Sequence, residues 1–417
     1  MMATIAVVGA GIVGVSCAWF LARDGHRVVL FDPVDPGTAT SFGNAGILSF
    51  SHCLPVGHPD LLKRLPALVL GRDPFFRMRM RDLPRLTPWL WRFLGASRPK
   101  AAHRIAAQLV ALVQRAEAAH REITAACRLE HLWLEGGWLK AARDRARFLK
   151  AVRAERAALD RFGLPYRVLE GDALRELEPA LDPRITVALH LPEEGRVSDP
   201  YRYTLGIFRA FERKGGRFLR SRVRALVRRR GGIRAVVTES GEEMEADAVV
   251  VAAGVWSAGL LAPLGVAPPL VAERGYHAML PHPDGPQLRR AVLALEEGFV
   301  LAPMKTGVRL TSGVELARAE APPTYAWLRA RVRRVGEVVP GLRPDIQSEW
   351  MGHRPSLPDS LPAIGWVAGI EGLLAAFGHH HLGLTLGPLT GRLIADLVAG
   401  RDPGLELAPY RLPRSFL

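Results

Sequence analysis

The chain opens on twenty uncharged residues, Ala3 to Ala22. A run of that length is long enough to cross a bilayer, and N-terminal apolar runs also occur in signal peptides. No positively charged segment precedes it, and Gly9, Gly11 and Gly14 divide it. The pattern therefore predicts a buried strand at Thr4 to Val8, a glycine turn and a helix from Ile12 to Arg23. Gly25 stops that helix, and a second apolar strand, Arg27 to Phe31, ends at Asp32. A loop rich in Pro, Gly, Thr and Ser runs to about Ser51, followed by helical, basic and aromatic segments as far as Cys127.

Residues His131 to Ala141 alternate like a strand, and Asp144 to Phe162 return to helical spacing. Asp199-Pro200 opens a further helix, which ends at Gly215-Gly216. Strands near Arg222 to Val227 and Gly232 to Thr238 follow. Ala248 to Ala252 is wholly apolar, as a strand covered on both faces of a parallel sheet would be, and it runs into a turn at Gly254 and Trp256. Antiparallel strands are predicted over Pro268 to Ser312 and a helix from Thr324 to Val339. Strand, glycine-rich turn and long helix follow over Leu373 to Gly400. Elements of a nucleotide-binding domain thus recur at the start, middle and end of the chain, separated by two insertions. The expected class is α/β, a discontinuous Rossmann-like domain with an inserted α+β domain carrying an antiparallel sheet.

A length of 417 residues corresponds to about two or three domains, and 48% hydrophobic with 23% charged residues excludes a disordered chain. The net charge is +15, from 56 basic and 41 acidic residues. Part of that excess is local: Lys63 to Arg104 holds eleven cations against Asp73 and Asp82, together with Phe75, Phe76, Trp89, Trp91 and Phe93. With no zinc-finger cysteines, repeats or RNA-binding aromatic signature, nucleic acid is not the expected partner. The stretch 63–104 reads as a cap over a site, or as a contact with an anionic membrane. Cys17, Cys53 and Cys127 are widely spaced, offer neither a disulfide framework nor a metal-ligand pair, and suit a reducing compartment; no metal site is expected.

The turn G-A-G-I-V-G carries the first chemistry. Gly9 permits a tight turn, Gly11 lets backbone N–H groups approach a pyrophosphate, and Gly14 lets helix and strand pack closely, with the helix N-terminus adding positive charge. Asp32, eighteen residues after Gly14, is placed to bond a ribose hydroxyl. An acid at that position suits an unphosphorylated ribose, hence NAD or FAD rather than NADP.

The chain resembles the D-amino-acid oxidase superfamily of FAD-dependent amine oxidoreductases, especially D-amino-acid dehydrogenases and glycine oxidase. The resemblance rests on VVGAGIVG (7–14), SFGNAGILS (41–49), ADAVVVAAGVWS (246–257), ERGYH (273–277), HRPSLPDSLPAIG (353–365) and GHHHLGLTLGPLTG (378–391), in that order; it is weakest over residues 55–195. It implies an FAD-binding domain made of residues 1–60, 198–265 and 345–417, and a substrate or cap domain of 61–197 and 266–344. It also implies noncovalent FAD, with Gly9, Gly11, Gly14 and Asp32 holding the ADP half and Ser41, Asn44, Ala45 and Gly46 under the pyrophosphate and ribityl chain. Val223 is expected at the adenine, with Gly254, Trp256 and Gly378 as further cofactor contacts. Gly383, Leu384 and Thr385 at the start of the last helix are expected to face the flavin pyrimidine.

The same resemblance implies that Arg354 clamps a substrate carboxylate, a task suited to a guanidinium fork. Tyr276 would bond the carboxylate or amine through its hydroxyl. Arg309, His379 and His52 are further candidates. Catalysis would rest on orientation, with the Cα hydride passing to flavin N5 and the imine hydrolysed to a keto acid. The implied partners are a small amino or imino acid, D-proline or D-hydroxyproline among them, and a quinone or dye-like electron acceptor. Alternatives are a glycine or sarcosine-like oxidase producing peroxide, or a flavin subunit needing a partner chain. The expected location is cytoplasmic, with residues 63–104 as a peripheral contact on the inner membrane face.

Overall fold

The computed structural model describes residues 2–60, 73, 75–229 and 231–416. Lys63, Arg64 and Arg72 of the basic stretch lie outside the described residues. The first half of the architecture is a six-stranded sheet. Its order is Arg217–Leu219, Arg27–Phe31, Thr4–Val8, Ala248–Val251, Leu373–Phe377, Ala363–Trp366, with only the last pair antiparallel. Strands from three distant parts of the chain thus form one parallel core. Their central residues Ile5, Val7, Leu30, Val250 and Leu374 are buried, as parallel strands covered on both faces require.

The helices Ile12–Arg23 and Gly383–Val398 pack side by side on this sheet. A Cβ at Gly387 would lie 3.0 Å from the Ile12 side chain, and one at Gly391 2.6 Å from the Ser16 backbone. The two helices therefore run in the same direction at close approach, and their N-termini emerge at the same edge of the sheet. An antiparallel meander, Val223–Arg229, Gly232–Thr238 and Glu243–Glu245, packs on the other face through Val223, Leu226, Ile233 and Val236.

The second layer is a nine-stranded sheet ordered Ser348–Ser356, Val271–Leu280, Gly307–Leu316, Phe299–Met304, Ala291–Ala294, Trp138–Ala142, Val187–Leu191, Arg167–Glu170, with Phe76–Met78 beside Gly307–Leu316. It is mainly antiparallel, with parallel pairs at Ala291–Ala294 against Trp138–Ala142 and at Phe76–Met78. A small three-stranded sheet, Ile47–Leu48, Gly195–Val197 and Trp133–Leu134, joins the loop after Ser41 to the second layer.

Two parts of the expected division differ from this topology. Ser348–Ser356 pairs along its whole length with Val271–Leu280, so a boundary at 345 would cut it from its own sheet. The helix Pro99–Cys127 buries Leu109, Val113, Ala116 and Ile123 in the same core as the parallel sheet, although it sits in the stretch expected to form the cap. In both cases an amphipathic element fixes its buried face but not which neighbour covers it. The strand expected at 131–141 is split into Trp133–Leu134 and Trp138–Ala142, because Gly136 and Gly137 both take positive φ between them. The helix expected at 324–339 stops at Val332 and gives way to a short 3₁₀ turn, Val335–Glu337.

From the basic aromatic stretch, the helix Leu83–Ala96 buries Trp89 and Phe93, stacked at 4.9 Å, and Trp89 Nε1 donates to the Ser356 carbonyl at 3.1 Å. Trp91 is 71% exposed, and Arg81 and Arg85 are exposed as well. Among the described residues no helix is long and apolar enough to cross a membrane.

Candidate active site

A cavity of about 940 Å³ lies between the two layers, at the edge of the parallel sheet where the two helix N-termini emerge. Its position beyond the carboxyl ends of Thr4–Val8 and Ala248–Val251 is where doubly wound sheets bind their ligands. At one end Gly9 holds φ +109°, and its N–H donates to the Phe31 carbonyl at 2.8 Å. A Cβ at Gly9 would sit 2.4 Å from the Ala252 carbonyl oxygen, and one at Gly14 only 1.8 Å from that of Gly9. Gly9 and Gly11 line the cavity; Gly14 lies behind them and sets how closely helix and strand approach.

Asp32 lines the same end, accepting from the Ala10 N–H at 2.7 Å and the Val34 N–H at 3.0 Å. Burial pushes its carboxyl up, while those two donors and the charge of Arg222 oppose the rise. Val223, Gly254 and Trp256 also line the cavity, Trp256 at its mouth with 48% of its surface exposed.

The 41–46 loop forms one wall. The Ser41 hydroxyl accepts from the Ile12 N–H at 2.8 Å, capping a helix whose own N-cap, Gly11, has no side chain to do so. Its O–H remains available to an anion at the same helix end. Asn44 pins the loop, donating to the Ser41 carbonyl and accepting from the Gly46 N–H, both at 2.8 Å. Ser41, Asn44 and Ala45 line the cavity, whereas Gly46 faces away and abuts Val197.

Arg309 does not line the cavity. Its guanidinium donates to the carbonyls of Phe42 at 3.0 Å and Asn44 at 2.8 Å, so it braces the loop from behind, and the expected contact with substrate is replaced by a supporting one.

The opposite wall is the first turn of Gly383–Val398. Gly383, Leu384 and Thr385 line the cavity, and no side chain caps this N-terminus. The Thr385 hydroxyl accepts from the Ser49 N–H at 3.0 Å, tying the turn to the loop across from it. Gly378 lies outside the lining, packed on Leu357.

Arg354 enters the cavity from Ser348–Ser356. Its register partner is Glu273, and the side chain crosses Gly275, where a Cβ would lie 2.6 Å from the guanidinium. Among the described residues it has no hydrogen-bond acceptor and no carboxylate within 4.0 Å. Burial lowers its pKa, the charge of Glu273 opposing. Glu273 itself is held near His380, at 3.7 Å. Arg354 is half-buried with its guanidinium open to the cavity, and a guanidinium so enclosed is best completed by an anion.

Tyr276 lines the same region, but its hydroxyl points elsewhere. It donates to Glu315 at 2.5 Å and accepts from Arg274 at 2.9 Å and the Thr324 N–H at 3.0 Å. The hydroxyl therefore serves a buried Arg274–Glu315 pair, and the expected bond to substrate is corrected accordingly. His379 lines the cavity with Nε2 bound to the Thr390 hydroxyl at 2.9 Å. Burial pushes it down to about 3, and the ring is neutral.

His52 and His381 meet edge to face, with ring centroids 4.9 Å apart. Burial first, then the charge of Lys140, pushes His52 down to about 4. His381 exposes its surface to the cavity, and desolvation in that enclosure, followed by the charge of His52, holds it well below its ordinary value. Lys140 and Trp138, two apart on one strand and so on one face, complete this chamber. Lys140 is neutralised by Glu155. Sequence reasoning missed Trp138, Lys140 and Trp350. The alternation over 131–141 marked the first two as sharing a face, but nothing local placed that face on the cavity.

One buried acid supports the site from outside the lining. Glu194 accepts from the N–H groups of Phe50 and Ser51, each at 3.0 Å, and from the Ser51 hydroxyl, holding the segment that carries His52. Burial pushes its pKa up to about 7 from an ordinary value of 4.5. A folded-state pKa above the unfolded one contributes stability that is full below the unfolded value and lost as pH rises through the folded one. The stability of the wild type relative to Glu194→Gln therefore falls between about pH 4.5 and 7. Urea unfolding of both proteins across that range measures it, and a difference that is flat or rises with pH contradicts the assignment.

The glycine cradle, the two helix N-termini and the acid beside them suit an adenine dinucleotide, and the guanidinium in the same cavity is a donor pair that a carboxylate could meet. The three cysteines are buried and outside the lining, and no cluster of metal-ligating side chains is found among the described residues.

Residues 4–397 match the family DAO, FAD dependent oxidoreductase, and the chain belongs to that family; it is an FAD-dependent oxidoreductase. Among curated proteins it is 35% identical over 423 residues to a D-amino-acid oxidase of Bradyrhizobium diazoefficiens, covering 99% of both chains. It is 33% identical over 435 residues to D-amino acid dehydrogenase 2 of Ralstonia nicotianae, covering 98% of this chain and 100% of that one. Among solved structures it resembles glycine oxidase from Geobacillus kaustophilus, with a TM-score of 0.76, 24% identity and 99% of both chains covered. The last likeness is one of fold.

Proposed function

We propose that this protein oxidises the α-carbon of a D-amino acid, with FAD held noncovalently along the Gly9–Asp32 cradle and the 41–46 loop. The observation that carries the reading is the Arg354 guanidinium, set in the cavity with no hydrogen-bond acceptor and no carboxylate within 4.0 Å among the described residues, Glu273 acting on it only from farther away. FAD supplies the hydride acceptor. Arg354 holds the substrate carboxylate by two parallel hydrogen bonds, which fixes the plane of that group and leaves the α-carbon only rotation about its bond to it, to be set by the cavity walls. The neutral His52 and His381 and the Lys140–Glu155 pair add no net charge to the chamber, so a substrate carboxylate would be the one anion in direct contact with the guanidinium.

The D hand and an acceptor other than oxygen are supported by the names of the dehydrogenase relatives. A relative named as an oxidase favours a second reading, in which oxygen takes the electrons. Anaerobic mixing of the FAD-bound protein with D-amino acids, L-amino acids and N-methylglycine tests the first: D-amino acids are expected to bleach the flavin and their L counterparts to leave it yellow. Bleaching by the L set alone, or by none, contradicts it. Stoichiometric peroxide on admitting air would select the oxidase.

A further inference from the structure

The C-terminal helix Gly383–Val398 contains Pro388 in its second turn. Proline has no N–H, so the carbonyl of Leu384, four residues earlier, loses the donor that an unbroken helix would provide. Leu384 is buried, and a buried carbonyl without a donor is costly.

The missing donor comes from another helix. His120, on Pro99–Cys127, places Nε2 3.0 Å from the Leu384 carbonyl oxygen and 3.0 Å from that of Thr385. A carbonyl only accepts, so the ring proton is on Nε2. Nδ1 is then an acceptor and takes the Tyr203 O–H at 3.0 Å, while the Tyr203 oxygen accepts from the Thr124 hydroxyl at 2.7 Å. His120, Thr124 and Tyr203 are all buried, and every polar atom of the chain of bonds is satisfied by a neutral imidazole. Burial keeps it neutral, pushing the ring down to about 4.

We propose that His120 is a positioning residue for the flavin: by replacing the donor absent at Pro388, it sets the direction of the uncapped N–H groups of Gly383, Leu384 and Thr385. Those three residues line the cavity. The proposal rests on the reading that FAD occupies that cavity, and adds that its environment is tuned by a side chain on a neighbouring helix. Partial positive charge at a helix N-terminus favours the anionic reduced flavin, so a turn that swings away lowers the reduction potential.

The test compares wild type, His120→Leu, His120→Gln and the double variant His120→Leu/Pro388→Ala. Gln returns a neutral donor near the Nε2 position; Ala at 388 returns the helix's own N–H. In the apoprotein, hydrogen exchange at the Gly387 and Leu389 amides is expected to be about tenfold faster in His120→Leu, the size expected when a buried carbonyl loses its donor. Both Gln and the double variant return it toward wild type. With FAD added, the midpoint potential falls in His120→Leu and recovers in the other two.

Wild-type exchange and potential in His120→Leu would overturn the proposal. So would a loss that persists undiminished beside Pro388→Ala, since that marks a filler of space rather than a donor. Should His120→Leu not fold, His120→Asn, whose amide is too short to reach, takes its place in the same comparison. Failure of the protein to take up FAD would defeat the functional reading and leave the apoprotein exchange result standing.

Discussion

Replacing Arg354 by Leu lowers kcat/KM for a D-amino acid by about 30- to 5,000-fold, the equivalent of about 2–5 kcal/mol for a lost partner of a buried carboxylate. The loss falls mainly in KM, because the carboxylate is held in the ground state as well as the transition state. A smaller part falls in kcat, through misorientation of the α-carbon. Arg354→Lys keeps the charge but not the fork, and is expected to lie between the two. FAD affinity stays close to wild type in both, since no described acceptor or carboxylate is within 4.0 Å of this guanidinium and Glu273 feels it only from farther away. An Arg354→Leu variant turning over within about threefold of wild type would remove the carboxylate clamp.

The second large effect is at Gly14. A Cβ there would lie 1.8 Å from the Gly9 carbonyl oxygen, 2.9 Å from its carbon and 3.3 Å from the Ala252 Cβ, and two of those three atoms are backbone. Neither can rotate out of the way, so the helix Ile12–Arg23 must back off from its strand and carry its N-terminus away from the cavity. Gly14→Ala is expected to weaken FAD binding about 100-fold or more, equivalent to the ~3 kcal/mol upper range of overpacking, and to lower thermal stability with it. Gly95→Ala, in a helix with nothing within 4 Å of the new methyl, is the control and is expected to match or slightly exceed wild-type stability. Titration of each apoprotein with FAD, followed by flavin fluorescence, measures the difference. Equal affinities would show that close packing at Gly14 does not shape the cradle.

The parts of the site legible in the sequence were those in which one short segment carries the whole requirement. The turn from Gly9 to Gly14 and the acid at Asp32 belong to a single strand–helix–strand unit, so spacing alone predicted elements that agree with Thr4–Val8, Ile12–Arg23 and Arg27–Phe31. Strand residues were harder, because a period of two marks two faces and is silent on which of them meets the cavity. On Val271–Leu280 the face bearing Arg274 and Tyr276 turns into the core over Leu328 and Val332, which takes the Tyr276 hydroxyl away from the substrate. Arg309 is on a strand of the right sheet, yet the Phe42 and Asn44 carbonyls cover it.

Contacts between segments far apart in the chain were illegible altogether. His52 meets His381 only because the loop after Ser41 crosses the turn before Gly383, and Trp138–Ala142 reaches the cavity by pairing with Ala291–Ala294. The His120–Leu384 bond is of the same kind. Pro388 removes a donor from inside the last helix, and nothing near it in sequence supplies another.

The central claim is that one cavity joins the dinucleotide cradle to the Arg354 guanidinium. A crystal structure of the FAD-bound protein soaked with benzoate, a carboxylate it cannot oxidise, tests it most directly. The isoalloxazine is expected in the cavity bounded by the 41–46 loop and Gly383–Thr385, with the benzoate carboxylate on both terminal nitrogens of Arg354. Benzoate bound elsewhere, or a flavin ring out of reach of that guanidinium, would contradict it.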